Sequence, residues 1–489
     1  MKEYTPLWSG VFEGRFSQFF LPVLLFGGKI LPILTLTLSL AIFSFAAILL
    51  FKLWEIPQKK YIFILLGLNL ITAPYTLSWL YFAFLTLSCL SWTLFIIGGY
   101  WLLTYKPTKL SLPITTILFT LSLGGYPPVV NLICILFFTL ILNDICFKKL
   151  AFKTLIHKYT PHIVAIIFSL ILFLFIQSEL KKYHLQYDTY NTVSINLNTL
   201  IEKINLLPSA IYGQFVITTS FISAFYKYTW LILTITAIFI LLFYIPKRLS
   251  NLILFFCAIS GLILSSLITL FAAQNSVYVL YEPRIDFFGL IYIYIYAASI
   301  FLRASTHFIR NIGFISLFSL TFYNIHTIAY ASKVWQFGFK AETNLTERIL
   351  RRIEENSAFS PFKNYTFIQG GTLDFRSRYY LPNTGSKTDS YTLTAPYIPW
   401  HLPSKAYKFY YPNDFFAADF DIYWQYIDVN ILNLTPELRQ YLQNTVYPWP
   451  HHNAIYIDNN TIILTLTPEG KWRAQEWLKN NKIIPAINK

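Results

Sequence analysis

The chain has 489 residues, of which 55% are hydrophobic and only 12% are charged. Because soluble domains carry about 25% charged residues, this composition excludes a soluble enzyme, a disordered protein and a coiled coil. The net charge is +15, and the first 332 residues hold 21 basic and 9 acidic residues. The basic residues stand in short clusters between apolar segments, which is typical of membrane topology signals, so nucleic acid is not predicted as a partner.

Ten apolar segments precede Lys333, and a bilayer core needs about 20 apolar residues per helix. We therefore predict an α-helical polytopic membrane protein with about ten transmembrane helices. The expected segments are approximately Ile30–Phe51, Tyr61–Ala73, Ser78–Leu103, Leu110–Gly124, Pro128–Cys146, Thr160–Gln177, Trp230–Pro246, Leu249–Ala272, Asp286–Leu302 and Asn311–Ala331.

Lys and Arg are concentrated in alternate connections, which predicts the direction of the helices because cytoplasmic loops are enriched in these residues. The basic connections contain Lys52, Lys106, Lys148, Arg248 and Arg303, and each of these has a further Lys or Arg in the same connection. Three regions follow from this alternation: an outer loop with an interfacial helix at 1–29, a transmembrane domain at 30–332 and an extracytoplasmic α+β domain at 333–489. In a bacterium, the predicted location is the inner membrane, with the C-terminal domain in the periplasm.

Two of the segments are short and end in helix breakers. Tyr61–Ala73 stops at Pro74, and Leu110–Gly124 stops at a Gly-Gly-Tyr-Pro-Pro run. Non-helical backbone at membrane depth persists only where protein or a water-filled cavity satisfies its polar groups. These breaks predict a cavity on the outer side, although ordinary proline-terminated helix ends at the interface would give the same pattern.

Two other stretches have the apolar spacing of helices that lie in the membrane surface. The first is Phe12–Phe26, for which the start of a long bent span is the alternative, and the second covers 190–226.

After Lys333 the composition changes to that of a small α+β module of about 155 residues. An amphipathic helix is predicted around Glu347–Glu355, and a strand at Tyr365–Gln369. A hairpin is predicted from Asn453–Ile457 and Thr461–Leu466, because turn-forming residues separate the two stretches.

The order of these features resembles the bacterial O-antigen glucosyltransferases, polytopic GT-C-type enzymes that use a polyprenyl-phosphate-linked sugar. The resemblance covers nearly the whole chain. It rests on Trp8-Ser9-Gly10 followed by Glu13-Gly14-Arg15, Asn69 with Ala73-Pro74-Tyr75, Leu121-Ser122-Leu123-Gly124-Gly125-Tyr126, Pro283-Arg284, Gly370-Gly371 and Tyr447-Pro448-x-Pro450.

The resemblance implies transfer of a sugar, with glucose as the expected one, from a polyprenyl-phosphate donor to a cell-surface polysaccharide or a lipid-linked acceptor. A small flippase and a lipid-sugar synthase are the implied protein partners. No cofactor is firmly implied, although a divalent cation is compatible with the chemistry, and no metal-ligand motif is present.

Sugar transfer from a lipid phosphate needs a carboxylate base, cations for the departing phosphate and access from the lipid. The family usually has an acidic pair in its first outer loop, where this chain offers only Glu3 and Glu13. We assign Glu13 as the base or orienting carboxylate. The remaining candidates are Arg15 and Arg284 for the phosphate, Glu282 and Asp286 as partners of Arg284, and Tyr75 and Tyr126 as the lining of the sugar site.

Each assignment has an alternative. Arg15 and Arg284 could be interfacial anchors, Glu13 a solvated loop residue, and Glu282-x-Arg284-x-Asp286 a local charge cluster. Two other functions also remain open: a lipid-linked sugar transporter or translocase, which would place charges at the membrane midplane, and an inactive paralogue that binds lipid-linked sugar.

Overall fold

The structure is a computed structural model. Two compact units make up the chain, Met1–Tyr330 and Ala331–Lys489. The described residues are 15–18, 20–27, 32–57, 59–76, 83–183, 197–216, 222–246, 248–269, 286–360, 366–370, 437, 440–441, 444, 447–458 and 461–465.

Apolar helices form the first unit. Five of the described helices are long and apolar enough to cross a membrane, and five shorter apolar helices accompany them, so this is a helical membrane protein. The full set of ten spans stays a prediction. In chain order the described helices are α1 Phe20–Phe26, α2 Pro32–Leu53, α3 Lys60–Ile71, α4 Ala83–Tyr105, α5 Ser111–Gly125, α6 Val129–Cys146, α7 Phe152–Tyr183, α8 Leu197–Phe215, α9 Ala224–Tyr244, α10 Leu249–Ser265, α11 Leu290–Arg303 and α12 His307–Glu354.

Helix α11 is the centre of this unit. Every residue from Leu290 to Leu302 is buried, as expected for a helix that is apolar on all sides and surrounded by others. It packs against α9, α3 and α6. By contrast, only 17% of the apolar window of α7 is buried, so most of its apolar surface faces outward, as on a helix in contact with lipid.

The unit has two ends, which we name after residues at the two ends of α11. Asp286 precedes the helix at the Asp286 end, and Arg303 is its last residue at the Arg303 end. At the Arg303 end, the last turns of α2, α4 and α6 meet the start of α7. Tyr105 on α4 donates to the Glu55 carboxylate at 3.2 Å, Lys148 forms an ion pair with Glu55 at 2.5 Å, and Lys158 on α7 pairs with Asp144 on α6. The basic connections that contain Lys52, Lys106, Lys148 and Arg303 therefore start from this end.

The second unit contains a three-stranded sheet with the order β1-β3-β2, formed by Thr366–Gly370, Ile455–Ile457 and Thr461–Thr465. Strands β2 and β3 are antiparallel, with Tyr456 opposite Ile463, so the predicted hairpin is confirmed. Strand β1, predicted at Tyr365–Gln369, runs parallel to β3. Parallel pairing needs a crossover rather than a tight turn.

The predicted helix at Glu347–Glu355 is the last part of a longer one, since α12 continues without a break from His307 to Glu354. Ile349 and Ile353 are fully buried, in agreement with the predicted apolar face. Only part of the predicted Phe12–Phe26 helix falls in the described ranges, where α1 begins at Phe20. The boundaries of the three predicted regions stay predictions.

Candidate functional site

Two backbone breaks meet at the Asp286 end. Helix α3 ends at Ile71, and Pro74, Tyr75 and Thr76 form a short helical turn in which Tyr75 is fully buried. Helix α5 ends at Gly125, after which Tyr126 is extended, with φ −157 and ψ 102, and its amide donates to the Ser122 carbonyl at 3.0 Å. Pro74 and Pro127 lack the N–H that a continuing helix would need, so Tyr75 and Tyr126 lie beyond the ends of α3 and α5.

Residues 15–18 cover the second break. The amide of Ser17 donates to the Gly124 carbonyl at 3.0 Å, and its hydroxyl donates to the Leu121 carbonyl at 2.5 Å. The ring of Phe16 lies against Gly124, where a Cβ would overlap it. This docking brings the Arg15 guanidinium carbon to 5.5 Å from the centroid of the Tyr126 ring, a cation–π distance.

Tyr126 in turn contacts the chain segment that begins with Asp286. Its ring centroid lies 5.6 Å from that of Phe288, and Phe288 packs edge-on against Phe287 at 4.9 Å. Three residues predicted for the site, Arg15, Tyr126 and Asp286, are therefore linked through two phenylalanines.

The Asp286 carboxylate is only partly buried and belongs to a polar network. Its Oδ1 accepts a hydrogen bond from Gln214 Nε2 at 2.9 Å. Gln214 also donates to the Ser266 carbonyl at 3.3 Å and accepts from the Ser266 hydroxyl at 2.9 Å. Because both sides of the Gln214 amide are bonded, its orientation is fixed, and Nε2 faces the carboxylate.

Asn131 extends this network toward α6. Its Nδ2 donates to the Ser266 carbonyl at 3.1 Å and lies 3.4 Å from the Thr269 hydroxyl. Its Oδ1 is buried and has no hydrogen-bond partner within the described part of the chain. A buried acceptor of this kind is satisfied by a water or a ligand group.

Lys227 places a cation in the same network. It lies in the first turn of α9, after the N-cap Ser223, and it is only 3% exposed. Its ammonium donates to the Gln214 carbonyl at 2.5 Å and lies 3.4 Å from the Gly213 carbonyl. It also interacts electrostatically with Asp286, although these two described groups form no ion pair within 4.0 Å.

Tyr75 is far from Lys227 in the sequence, but its ring packs against the first turn of α9. Its ring centroid is 6.1 Å from that of Tyr226, the residue before Lys227. The ring of Tyr226 also stacks on that of Tyr323 at 5.6 Å. Of the two predicted sugar-site tyrosines, Tyr126 therefore contacts the segment that begins with Asp286, and Tyr75 contacts the residue next to Lys227.

Three of the predicted site residues, Glu13, Glu282 and Arg284, lie outside the described residues, and their roles stay predictions. Within the described ranges, no three His, Cys, Asp or Glu side chains come together in a way that would hold a metal ion. The site that the structure assembles is one of carboxylate, amide, ammonium, guanidinium and aromatic groups.

An apolar cavity of about 510 Å³ begins beside this network. Helices α8, α9, α10 and α11 form its walls. Pro208, Ile211, Tyr212 and Phe215 of α8 line one part, and Ile293, Tyr296 and Ile300 of α11 line another. Phe215 adjoins Gln214 in the chain, so α8 presents one side to the cavity and its last turn to Asp286.

The Arg303 end carries a second charged cluster, in which every described carboxylate is engaged. The Asp144 side chain is 2% exposed and pairs with Lys148 at 3.2 Å and with Lys158, while the Tyr159 hydroxyl donates to it at 2.7 Å. Burial alone would lower the pKa of Lys148, but its hydrogen bonds with Glu55 and Asp144 raise it overall. This cluster joins helix ends rather than exposing a reactive group.

Sequence reasoning missed Gln214, Lys227 and Ser266. The signal that was available is the position of Lys227, since a lysine inside an apolar helix is costly unless it has a role. Gln214 and Ser266 carry no such signal, because each is an ordinary polar residue near a helix end.

The chain was compared with known proteins at three levels, and no family model, curated protein or solved structure matches it.

Proposed function

We propose that the protein is a membrane glycosyltransferase that moves a sugar, glucose in the simplest case, from a polyprenyl-phosphate donor to a cell-surface polysaccharide such as O-antigen. The proposal includes ten spans, a bacterial inner-membrane location and a periplasmic C-terminal domain. The ten apolar helices at the expected positions support the first of these.

One observation carries the proposal: the same helix end binds a carboxylate and a buried ammonium, and that helix also lines an apolar cavity between membrane helices. Gln214 in the last turn of α8 bonds both Asp286 and Lys227, and α8 lines the cavity with Ile211 and Phe215. A lipid chain in this cavity would bring its phosphate to the two charged groups. Such an arrangement suits a donor that is part lipid and part anion.

The orientation of the site supports an extracytoplasmic reaction. The basic connections start from the Arg303 end, and cytoplasmic loops are the ones enriched in Lys and Arg. The Asp286 end would then face the outside. A polysaccharide acceptor is available only on that side of the membrane.

The proposed roles follow the chemistry of the transfer. Glu13 acts as base or orienting group, Arg15 and Arg284 bind the phosphate, Glu282 and Asp286 support Arg284, and Tyr75 and Tyr126 line the sugar site. The cation–π contact between Arg15 and Tyr126 supports a shared role for these two. Arg suits the phosphate because its planar fork donates two hydrogen bonds at once.

The test uses membranes from cells that make polyprenyl-phosphate-glucose and O-antigen and that express the full chain. Wild type, Arg15→Gln and Arg284→Gln are compared for transfer of radiolabelled glucose from lipid to polysaccharide. We expect each variant to transfer at least about 100-fold more slowly, the usual effect of removing a charge-stabilising donor. The matched control is Arg351→Gln, since Arg351 is 80% exposed and pairs only with Glu355 among the described residues.

Equal rates in wild type and in cells without the protein would contradict the proposal. Label that crosses the membrane while it stays on the lipid would instead identify a translocase, and label that is bound but neither moved nor transferred would identify an inactive binding protein.

A further inference from the structure

We propose that Lys227 and Asp286 act as a divided pair across the reacting bond, an inference that rests on the proposed function. Lys227 binds the departing phosphate of the donor, and Asp286 accepts the proton of the attacking hydroxyl, which leaves Glu13 as the orienting carboxylate and Glu282 as the partner of Arg284. Neither role is assigned by the resemblance, which gives Asp286 only a supporting part and Lys227 none.

The Lys227 ammonium is buried against a helix end. Moving an unpaired charge out of water costs several kcal/mol, and Lys227 is 3% exposed. Its described acceptors are the carbonyls of Gln214 and Gly213, which lie at the C-terminal end of α8. Carbonyls at a helix C-terminus favour a cation, so this helix end holds the ammonium in place without neutralising it.

The N–H groups of the Lys227 ammonium have described acceptors at unequal distances. An ammonium has three N–H groups. One makes a short bond to the Gln214 carbonyl at 2.5 Å, while the contact with the Gly213 carbonyl, at 3.4 Å, is at the limit of hydrogen bonding. A phosphate oxygen could take the place of that weak acceptor, and the third N–H has no acceptor among the described residues.

The charges of Lys227 and Asp286 are separated. If Asp286 were only the counter-ion of Lys227, the two groups would be expected in direct contact. Instead the carboxylate accepts from the Gln214 amide at 2.9 Å, and no ion pair within 4.0 Å joins these two described residues. The same residue, Gln214, therefore holds the ammonium with its backbone and the carboxylate with its side chain, and keeps them apart.

The exposure of the two groups matches the two roles. Lys227 is buried and fixed, as a group that stabilises developing charge should be. Asp286 is only partly buried as a residue, so the proposal assigns it, rather than Lys227, to the acceptor hydroxyl. The ring of Tyr75 lies 6.1 Å from that of Tyr226, the residue before Lys227.

The reaction balances as a direct displacement. The oxygen of the acceptor hydroxyl forms a bond to the anomeric carbon while the bond from that carbon to the phosphate oxygen breaks. The electron pair of the broken bond leaves with the lipid phosphate, whose added charge Lys227 stabilises. The proton of the hydroxyl passes to the Asp286 carboxylate.

The experiment separates binding from transfer. The full chain in liposomes is titrated with a long-chain polyprenyl phosphate and with the corresponding polyprenol, which lacks the phosphate. Transfer is measured in membranes with labelled polyprenyl-phosphate-glucose. Lys227→Met should reduce the preference for phosphate over alcohol by about 10- to 100-fold and should also slow transfer, whereas Lys227→Arg should restore part of both.

Asp286→Asn keeps the shape of the side chain but removes the base. It should leave the preference for polyprenyl phosphate unchanged and slow transfer by at least about 100-fold. The control is Lys203→Met. It removes a second buried lysine, which lies on α8 and is 7% exposed, and should alter neither measurement. If Lys227→Met does not fold, Lys227→Gln gives the same comparison.

The outcomes distinguish the two proposals. If wild type transfers glucose and the Lys227 and Asp286 variants match it, this inference is wrong and the proposed function stands. Equal losses of binding and transfer in Asp286→Asn would also overturn the inference, because they indicate a purely structural carboxylate. If wild type transfers nothing from the lipid, the proposed function itself is wrong.

Discussion

At the residue scale, the aspartates at the two ends of the first unit have different surroundings. Asp144 is enclosed and bonded by Lys148, Lys158 and Tyr159. Asp286 is only partly buried, and among the described residues it accepts a hydrogen bond from a neutral amide, that of Gln214. A fully paired carboxylate stabilises the fold, whereas a carboxylate with spare lone pairs remains available for chemistry.

We therefore expect Asp144→Asn to destabilise the protein without a direct effect on the site. The variant leaves Lys148 and Lys158 without their buried partner, and breaking such a pair costs about 3 kcal/mol. Thermal unfolding of the purified protein should show a clear loss of stability. Glu179→Gln is the control, because the exposed pair of Glu179 with Lys182 contributes about 1 kcal/mol at most. Equal shifts for both variants would contradict this distinction.

The sequence predicts individual site residues better than it predicts their partners. Tyr75 and Tyr126 were proposed for the site because each stands at a helix breaker, Arg15 because of the resemblance, and Asp286 as a sequence neighbour of Arg284. The contact between Gln214 and Asp286 joins residues 72 positions apart. No local pattern indicates such a contact, since it depends on how the last turn of α8 meets Ser266 and the segment before α11.

At the element scale, the break after α5 depends on the absence of side chains at its two glycines. A Cβ at Gly124 would overlap the Phe16 ring, and one at Gly125 would overlap the Trp92 indole. These close approaches hold residues 15–18 against the helix end. The Gly-Gly pair therefore positions Arg15 as well as ending α5.

Gly124→Ala should displace Phe16 and carry Arg15 away from Tyr126. We expect a loss of about 1–3 kcal/mol in stability from overpacking, together with slower glucose transfer, measured by thermal unfolding and in the membrane assay. Gly98→Ala provides the comparison, because a Cβ there meets nothing within 4 Å and alanine is the better helix former. A stable and fully active Gly124→Ala variant would refute the positioning role of this break.

Apolar runs located the helices of the first unit, but their ends were harder to predict. A span was expected at approximately Thr160–Gln177, yet helix α7 begins at Phe152 and includes Pro161. Proline is tolerated inside membrane helices where neighbours satisfy the freed carbonyl. Similarly, the change to a polar composition near Lys333 marks no break, since α12 continues to Glu354.

At the scale of the whole molecule, the charge pattern predicts which end faces the cytoplasm. In a variant without the native cysteines, Lys182→Cys lies near the end of α7, opposite its Asp144 contact, whereas Lys148→Cys lies at the Arg303 end. A membrane-impermeant maleimide added to intact bacterial cells, with the outer membrane made permeable, should label the first and not the second. The reverse labelling would place the Asp286 end in the cytoplasm and exclude an extracytoplasmic reaction.

The most direct test uses the purified full chain in liposomes that contain polyprenyl-phosphate-glucose with radiolabelled sugar, with isolated O-antigen polysaccharide added. The account predicts that label moves from the lipid to the polysaccharide, and that Asp286→Asn slows this transfer by at least about 100-fold. Label that remains on the lipid with the wild-type protein, under conditions in which the chain is folded and binds the donor, would contradict the account.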